Sequence, residues 1–321
     1  MNGALVRELL TMESCLPLMR RAHSMVARKE AVQPVRIGVR APGVEGLLGV
    51  MPGYTSAPTW YGAKIISVFE RNFGTAFGAH QGMVLLFDTM TGAPRAIIDA
   101  TAITAIRTAA STAVATDLLA RPDAASLGVF GYGEQAAQHV AALSLVRTFD
   151  RIRIWGRDPV KAKAFSVAQS ARIGRPVEAV LDPQEAADSD VVCTTTSATE
   201  PFYQAEWLRA GQHLNLVGAS TPREAEVEGR VIAGARCYYD SREGALSLSG
   251  EFTRAIEAGL IDERHLLGSV GEVIEGLAPG REGPGEITLF KSLGLVVQDI
   301  VAADFVLSEA GRLQKGVVID W

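Results

Sequence analysis

The spacing of apolar positions along this 321-residue chain changes character near residue 126. Before that point the pattern is mixed. Leu16, Met19 and Ala22 recur at helical spacing and predict an amphipathic helix over 11–28. Between Val35 and Asp99 the apolar residues fall in short, partly β-branched runs: Leu47–Met51, Gly62–Phe69, Met83–Phe87 and Arg95–Asp99. Gly, Pro, Asn and Thr separate them, which predicts an antiparallel or mixed sheet with a hairpin turn over Thr89–Pro94. A long Ala- and Thr-rich helix follows over Thr101–Ala120, with Thr101 as its candidate cap, and Arg121-Pro-Asp-Ala breaks it.

From Ser126 strand-like and helix-like segments alternate. Strands are predicted near 126–131, 151–155, 177–180, 190–194, 213–217 and 235–239. Six strands in that span fit a doubly wound parallel α/β domain. Residues 249–276 read as helical, 280–285 as a flexible loop, Ile287–Leu313 as a closing helix and 316–321 as a strand-like tail. The fold class is therefore α/β, with a doubly wound nucleotide-binding domain beside an α+β domain.

One turn in this alternation carries chemistry. Gly131-Tyr-Gly133-Glu134-Gln135-Ala136 follows an apolar strand and opens a helix. Gly131 permits a tight turn, Gly133 lets backbone approach a pyrophosphate, and Ala136 lets helix lie close on strand. The helix start offers free N–H groups and a positive dipole end to phosphate. Gly131, Gly133, Glu134 and Gln135 are thus candidate cofactor contacts in a Rossmann-type unit. The second strand ends Trp155-Gly-Arg157-Asp158. A site for NAD usually has an acid there to accept from the ribose 2′-OH, whereas a guanidinium suits a 2′-phosphate. Arg157 favours NADP(H), with NAD(H) possible if Asp158 serves the ribose from one place further on.

Composition narrows the field. There are 31 Lys and Arg against 36 Asp and Glu, a formal charge of −5. With no basic run, nucleic acid is not an expected partner. The three cysteines (Cys15, Cys193, Cys237) and five histidines are scattered, so neither a disulfide framework nor a metal site is expected. Charges interrupt the apolar runs of 1–28, and no uninterrupted apolar stretch is long enough for a bilayer, so no membrane span is expected. The expected location is cytoplasmic.

Three cations stand in apolar surroundings: Arg36 after Val32-Gln-Pro-Val, Lys64 inside Tyr61-Gly-Ala-Lys-Ile-Ile, and Arg107 inside Ala105-Ile-Arg-Thr. A buried charge is costly unless it is paired or meets a ligand. Each alone reads as a structural ion pair; three together suit a carboxylate-binding site. No GxSxG or Cys/His pairing supports hydrolysis.

With these residues in place, the chain resembles the ornithine cyclodeaminase/mu-crystallin family. The resemblance rests on Leu10–Glu13, Val32–Arg36, Gly49–Pro52, Lys64–Phe69, His80–Gly82, Ala105–Ala110, Gly131–Ala136, Ile154–Arg157 and Thr288–Gly294, which span nearly the whole chain. It implies a homodimer. It also implies a substrate-binding and dimerisation domain of residues 1–120 with 305–321, and a Rossmann domain of 121–304. The implied chemistry is hydride transfer between a nicotinamide and an α-amino or α-imino acid carbon. By the same resemblance Arg36, Lys64 and Arg107 hold the substrate carboxylate or lie beside the nicotinamide, Lys64 and Arg107 being the catalytic candidates. Thr108 adjoins the cofactor phosphates. Thr194, Thr195, Val217 and Gly218 lie on cofactor-contact loops, and Lys291 and Ser292 on a helical segment facing the nicotinamide.

One departure from the family pattern matters. Cyclodeaminases of the family carry an Asp where this chain has Ser220. A hydroxyl cannot act as a base near neutral pH without activation, nor balance the ammonium of a diamino acid. The resemblance therefore points to reduction of a small cyclic or linear α-imino acid by NADPH. Cyclodeamination of ornithine, an amino-acid dehydrogenase and a non-catalytic cofactor-binding protein are the alternatives. Segments 38–60 and 242–250 are expected to supply loops that set specificity.

Overall fold

The structure, a computed structural model, describes residues 1–72, 75 and 77–319. The chain divides into two units, Met1–Arg107 with Gly294–Trp321, and Thr108–Leu293. The borders expected from the sequence are 120/121 and 304/305. Here the first border falls inside one continuous helix, Ala100–Leu119.

The first unit is built on an antiparallel sheet. Its strands are β1 (Ala31–Val32), β2 (Ile37–Val39), β3 (Leu47–Ser56), β4 (Thr59–Val68), β5 (His80–Phe87) and β6 (Pro94–Asp99). The order is β1-β3-β4-β5-β6, with β2 also on β3. Segment 38–60 is thus mostly strand, not loop. Asp88 makes the β5–β6 turn, its Oδ1 accepting from the amides of Met90 and Thr91. Strand alternation sorts two faces. Val84, Leu86 and Ile98 point inward and are buried, together with Lys64. The closing helix, Val296–Arg312, covers this face. It lies so close that a Cβ on Gly62 would come within 2.5 Å of Ile300, and one on Gly53 within 2.5 Å of Val296. The predicted helix over 11–28 is present as Met12–Ala27, and its Ala22 and Met25 join Val297 and Val301 of the closing helix. At the start of Ala100–Leu119 the cap is Asp99, whose Oδ1 accepts from the Ala102 amide at 2.7 Å. Thr101, the expected cap, instead donates its hydroxyl to the His80 carbonyl.

The second unit is a parallel sheet of eight strands. They are β7 (Ser126–Phe130), β8 (Arg151–Trp155), β9 (Glu178–Ala179), β10 (Val191–Thr194), β11 (His213–Leu216), β12 (Arg236–Tyr239), β13 (Leu266–Ser269) and β14 (Thr288–Lys291). The order β13-β12-β14-β11-β10-β7-β8-β9 reverses direction at β7 and β10. That is the switch point at which doubly wound sheets bind ligands, at the carboxyl ends of the strands. Phe130, Trp155, Phe202, Tyr203 and Trp207 form an aromatic cluster with ring centroids 5.2–6.4 Å apart.

Several expected elements are corrected. Residues 249–276 are not one helix: Gly250–Glu257 is helical, β13 follows, and Val270–Ile274 is a short helix. Ile287–Leu313 likewise splits into β14 and the closing helix. Both strands are four residues long, and a short apolar run does not distinguish a buried strand from a buried helix by period. Residues 317–319 form no strand, and the last two residues of that predicted tail lie outside the described ones. Segment 242–250 is largely the helix Arg242–Leu248. All three cysteines are buried and free, and burial pushes every thiol up, Cys15 to about 12. Among the described residues, no helix is long and apolar enough to cross a membrane, and no three metal-capable side chains come together.

Candidate functional site

At the carboxyl edge of the parallel sheet, the glycine turn leaves room for a phosphate. Gly131 has φ +120°, a region L side chains rarely adopt, and a Cβ there would lie 2.8 Å from Thr195 Oγ1. A Cβ on Gly133 would meet nothing within 4 Å. Gly133 caps the helix Glu134–Val146 without any side-chain hydrogen bond, so the first amides of that helix are left for a ligand. Ala136 is fully buried. Glu134 and Gln135 begin the helix, and the Gln135 carbonyl accepts from His139. These residues fit a dinucleotide pyrophosphate.

Beyond β8, Tyr132 lies over Gly156, where a Cβ would come 2.3 Å from its ring. Arg157 is exposed, and none of the described residues pairs with it. Asp158 is committed elsewhere: it caps the helix Pro159–Ile173, its Oδ1 accepting from the Val160 and Lys161 amides at 3.0 and 3.1 Å.

The loops after β10 and β11 meet on a carboxylate that sequence reading missed. Glu226 is fully buried. It accepts from Thr194 Oγ1 (2.6 Å), Thr196 N and Oγ1 (2.7 Å each) and Gly218 N (2.8 Å). Burial pushes its carboxyl up; nearby Lys291 and the Thr hydroxyls pull the other way. Val217 donates its amide to the Thr194 carbonyl. Lys291 sits in β14, not in a helix, and is fully buried. Its Nζ donates to the Ala219 carbonyl at 2.6 Å and pairs with Glu251 Oε1 at 2.9 Å. Ser292 is buried beside it, with its amide on the Leu216 carbonyl. Ser220 is half-buried, and its amide donates to Glu224 Oε2 at 3.4 Å.

In the first unit, β4 and two helices bring two of the predicted cations together, Lys64 and Arg107, while Arg36 lies between β1 and β2. Lys64 is 3% exposed and Arg107 4%. Both contact Asp299 of the closing helix, itself fully buried. Lys64 Nζ is 2.8 Å from Asp299 Oδ2, and Arg107 Nε 2.9 Å from Oδ1. Arg107 Nη1 also donates to Gln298 Oε1 at 3.1 Å, and Gln298 Nε2 meets His23 Nε2 at 3.3 Å. Gly294, at φ +81°, lies against the guanidinium: a Cβ there would come 2.8 Å from Arg107 Nη1. Burial lowers Lys64 from 10.5 to about 8. Asp299 opposes that fall, while the charges of Arg107 and Arg36 add to it. Asp299 is held below its ordinary value by Arg107 and Lys64, against the opposing effect of burial. Burial and Arg107 take His23 down to about 4, so it is neutral near pH 7. Thr108, the next residue on the helix, is buried and accepts the Thr112 hydroxyl on its carbonyl.

Asp299 is not among the residues the sequence singles out, although Val296-Val-Gln-Asp299-Ile-Val carries the same signal as Arg107: one charge in an apolar helix. The sequence reads Arg36, Lys64 and Arg107 together as a grip for a substrate carboxylate; the structure sets Lys64 and Arg107 on a carboxylate of the chain itself, 192 positions beyond Arg107.

A doubly wound sheet with an open glycine turn defines a protein of the nicotinamide-dinucleotide-binding class. Within it, the chain belongs to the ornithine cyclodeaminase/mu-crystallin family, whose sequence profile matches residues 2–312. It is 38% identical to ketimine reductase mu-crystallin of Mus musculus over 276 residues, 86% of this chain and 84% of that one. It is 32% identical to Delta(1)-pyrroline-2-carboxylate reductase of Bacillus cereus, over 97% of this chain and 95% of the relative. Among solved structures it is similar to Thermococcus litoralis Delta(1)-pyrroline-2-carboxylate reductase in complex with NADH and L-proline, with TM-score 0.96, 30% identity and 99% of each chain covered. It is also similar to an archaeal alanine dehydrogenase dimer with bound NAD, with TM-score 0.94, 29% identity and coverage of 100% and 98%.

Proposed function

We propose that this protein is an NAD(P)H-dependent reductase of small α-imino acids, cyclic or linear. The observation that carries the reading is the Lys64–Asp299–Arg107 cluster: a lysine near pKa 8 beside a fixed guanidinium. Arg107 and Arg36 would hold the substrate carboxylate, a task suited to planar donors. The Lys64 ammonium would give its proton to the imine nitrogen, making the C=N carbon electrophilic. When bound, the nicotinamide supplies the hydride to that carbon. The product is an α-amino acid, and Lys64 is left neutral, a form that burial favours. Asp299 keeps the lysine charged enough to donate.

NADP(H) is the proposed cofactor form. Arg157, exposed and unpaired among the described residues, supports it, as does Asp158 being spent on a helix cap. The relatives solved with NADH and NAD make the other form the competing reading. Loss of reduced-nicotinamide absorbance tests both points, using NADPH and NADH with pyrroline-2-carboxylate, piperideine-2-carboxylate, and pyruvate plus amines. No turnover of any pair sinks the reading.

A second reading rests on Glu224, whose carboxylate lies beside Ser220. It could engage a second amino group and so permit cyclodeamination of ornithine. Ammonia released from ornithine with no net change in NADPH would select it.

The partner proposed for the first unit is a second copy of the chain. The outer face of its sheet carries Ile37, Val39, Leu48, Tyr61, Met83 and Ile97, all exposed. A contiguous apolar face of that kind marks an interaction surface.

A further inference from the structure

We propose that Glu226 is the positioning residue of the cofactor site, a single carboxylate that sets the spacing of the two loops flanking the switch point. This rests on the reading that a nicotinamide dinucleotide binds at the carboxyl edge of the parallel sheet.

The geometry is specific. The four donors on Glu226 come from two strand ends and their loops: Thr194, the last residue of β10, Thr196 just beyond it, and Gly218 after β11. Thr194 Oγ1 and Gly218 N share Oε2, while both Thr196 donors share Oε1. Each oxygen therefore accepts twice, and neither loop can shift without breaking a charge-assisted bond. The loops are also in steric register: a Cβ on Gly218 would lie 2.2 Å from the Thr196 carbonyl and 2.4 Å from Glu226 Oε1. Thr195, between the two gripped threonines, donates its amide and hydroxyl to the Phe130 carbonyl, directly beneath Gly131. The carboxylate is thereby coupled through Thr195 to the glycine turn.

The chain holds Glu226 from behind as well. Its amide approaches Glu251 Oε1 at 3.5 Å, and Glu251 pairs with Lys291, whose ammonium also holds the Ala219 carbonyl of the same β11 loop. A carboxylate so deeply buried is expensive to keep charged. Four donors and a nearby lysine offset that cost, and a glutamine could accept from only half of those donors.

The test measures NADPH and NADH dissociation constants by fluorescence titration, well below the unfolding temperature. Glu226→Gln is expected to weaken binding at least about tenfold, since two of the four donors lose their acceptor. Thr196→Val, which removes one hydroxyl donor and keeps the amide, is expected to weaken it roughly threefold. The double variant should lose less than the product, because both changes break the same contact. The KM for the imino acid should stay within about twofold, since no substrate contact is altered. A thermal melt runs alongside: a purely structural role would lower Tm and leave the dissociation constants of the folded protein unchanged. Constants within about twofold of the parent for both variants, or fully multiplicative losses, would overturn the proposal. If Glu226→Gln does not fold, Thr194→Val and Thr196→Val carry the same test. Failure of the parent protein to bind either nucleotide would sink the cofactor reading itself.

Discussion

Lys64 and Arg107 grip opposite oxygens of Asp299, at 2.8 and 2.9 Å, from a strand and a helix 43 positions apart along the chain. One buried carboxylate thus fixes the distance between the proposed proton donor and the proposed carboxylate anchor. Replacing Lys64 with Ala should cut kcat/KM by about two decades or more, the usual worth of a positioned acid–base group. Steady-state kinetics with the best imino acid checks this, and a near-parental rate would remove Lys64 from the mechanism.

The same pair predicts a pH profile. A proton donor must be charged, so kcat/KM should fall as pH rises through about 8, the value to which burial lowers Lys64. Stability should move the other way. The native state binds this proton less tightly than the unfolded chain, so the Lys64 contribution to stability is unfavourable below about pH 8 and recovers toward 10.5. Opposite trends in activity and Tm across that window would separate loss of the proton from unfolding.

Asp299→Asn leaves two buried cations with one neutral partner. Breaking a buried pair this way costs about 3–5 kcal/mol. Asp299 is the group that holds the Lys64 pKa up, so in any folded fraction the alkaline limb should move to lower pH. A limb that stays in place would show that another group titrates.

Arg157→Ala should raise the NADPH dissociation constant by about tenfold or more, the value of a charged hydrogen bond to a 2′-phosphate, and leave NADH nearly unchanged. Titration of both nucleotides decides it. Equal effects on both would return the role to a solvated surface arginine.

Tyr61→Glu places a charge in the outer apolar face of the antiparallel sheet, where Tyr61 is 55% exposed. If that face seats a second copy, sedimentation should show a shift toward monomer with the far-ultraviolet spectrum intact. An unchanged mass would place the interface elsewhere.

Much of this was legible before any coordinates. The glycine turn announced itself because Gly131 and Gly133 stand between a largely apolar strand and a helix, and Arg107 because it is the one charge in the segment Ala100–Thr116. The doubly wound sheet was readable because its early strands alternate with helices at regular intervals. What stayed hidden had two physical causes. β13 and β14 are only four residues each and mostly buried, so they carry no legible period of two. Asp299 meets Arg107 and Lys64 across 192 and 235 positions, and Glu226 and Glu251 reach Thr194 and Lys291 across 32 and 40; a sequence does not say which buried charge meets which.

The three buried thiols have a practical consequence. Each is inaccessible, and each is raised away from the reactive thiolate form. Maleimide reagents should therefore pass over the native chain entirely. A lone cysteine installed at exposed Val167 would accept a fluorophore or spin label without prior removal of the natural ones. The unaltered protein is in that sense already a clean background for site-specific labelling.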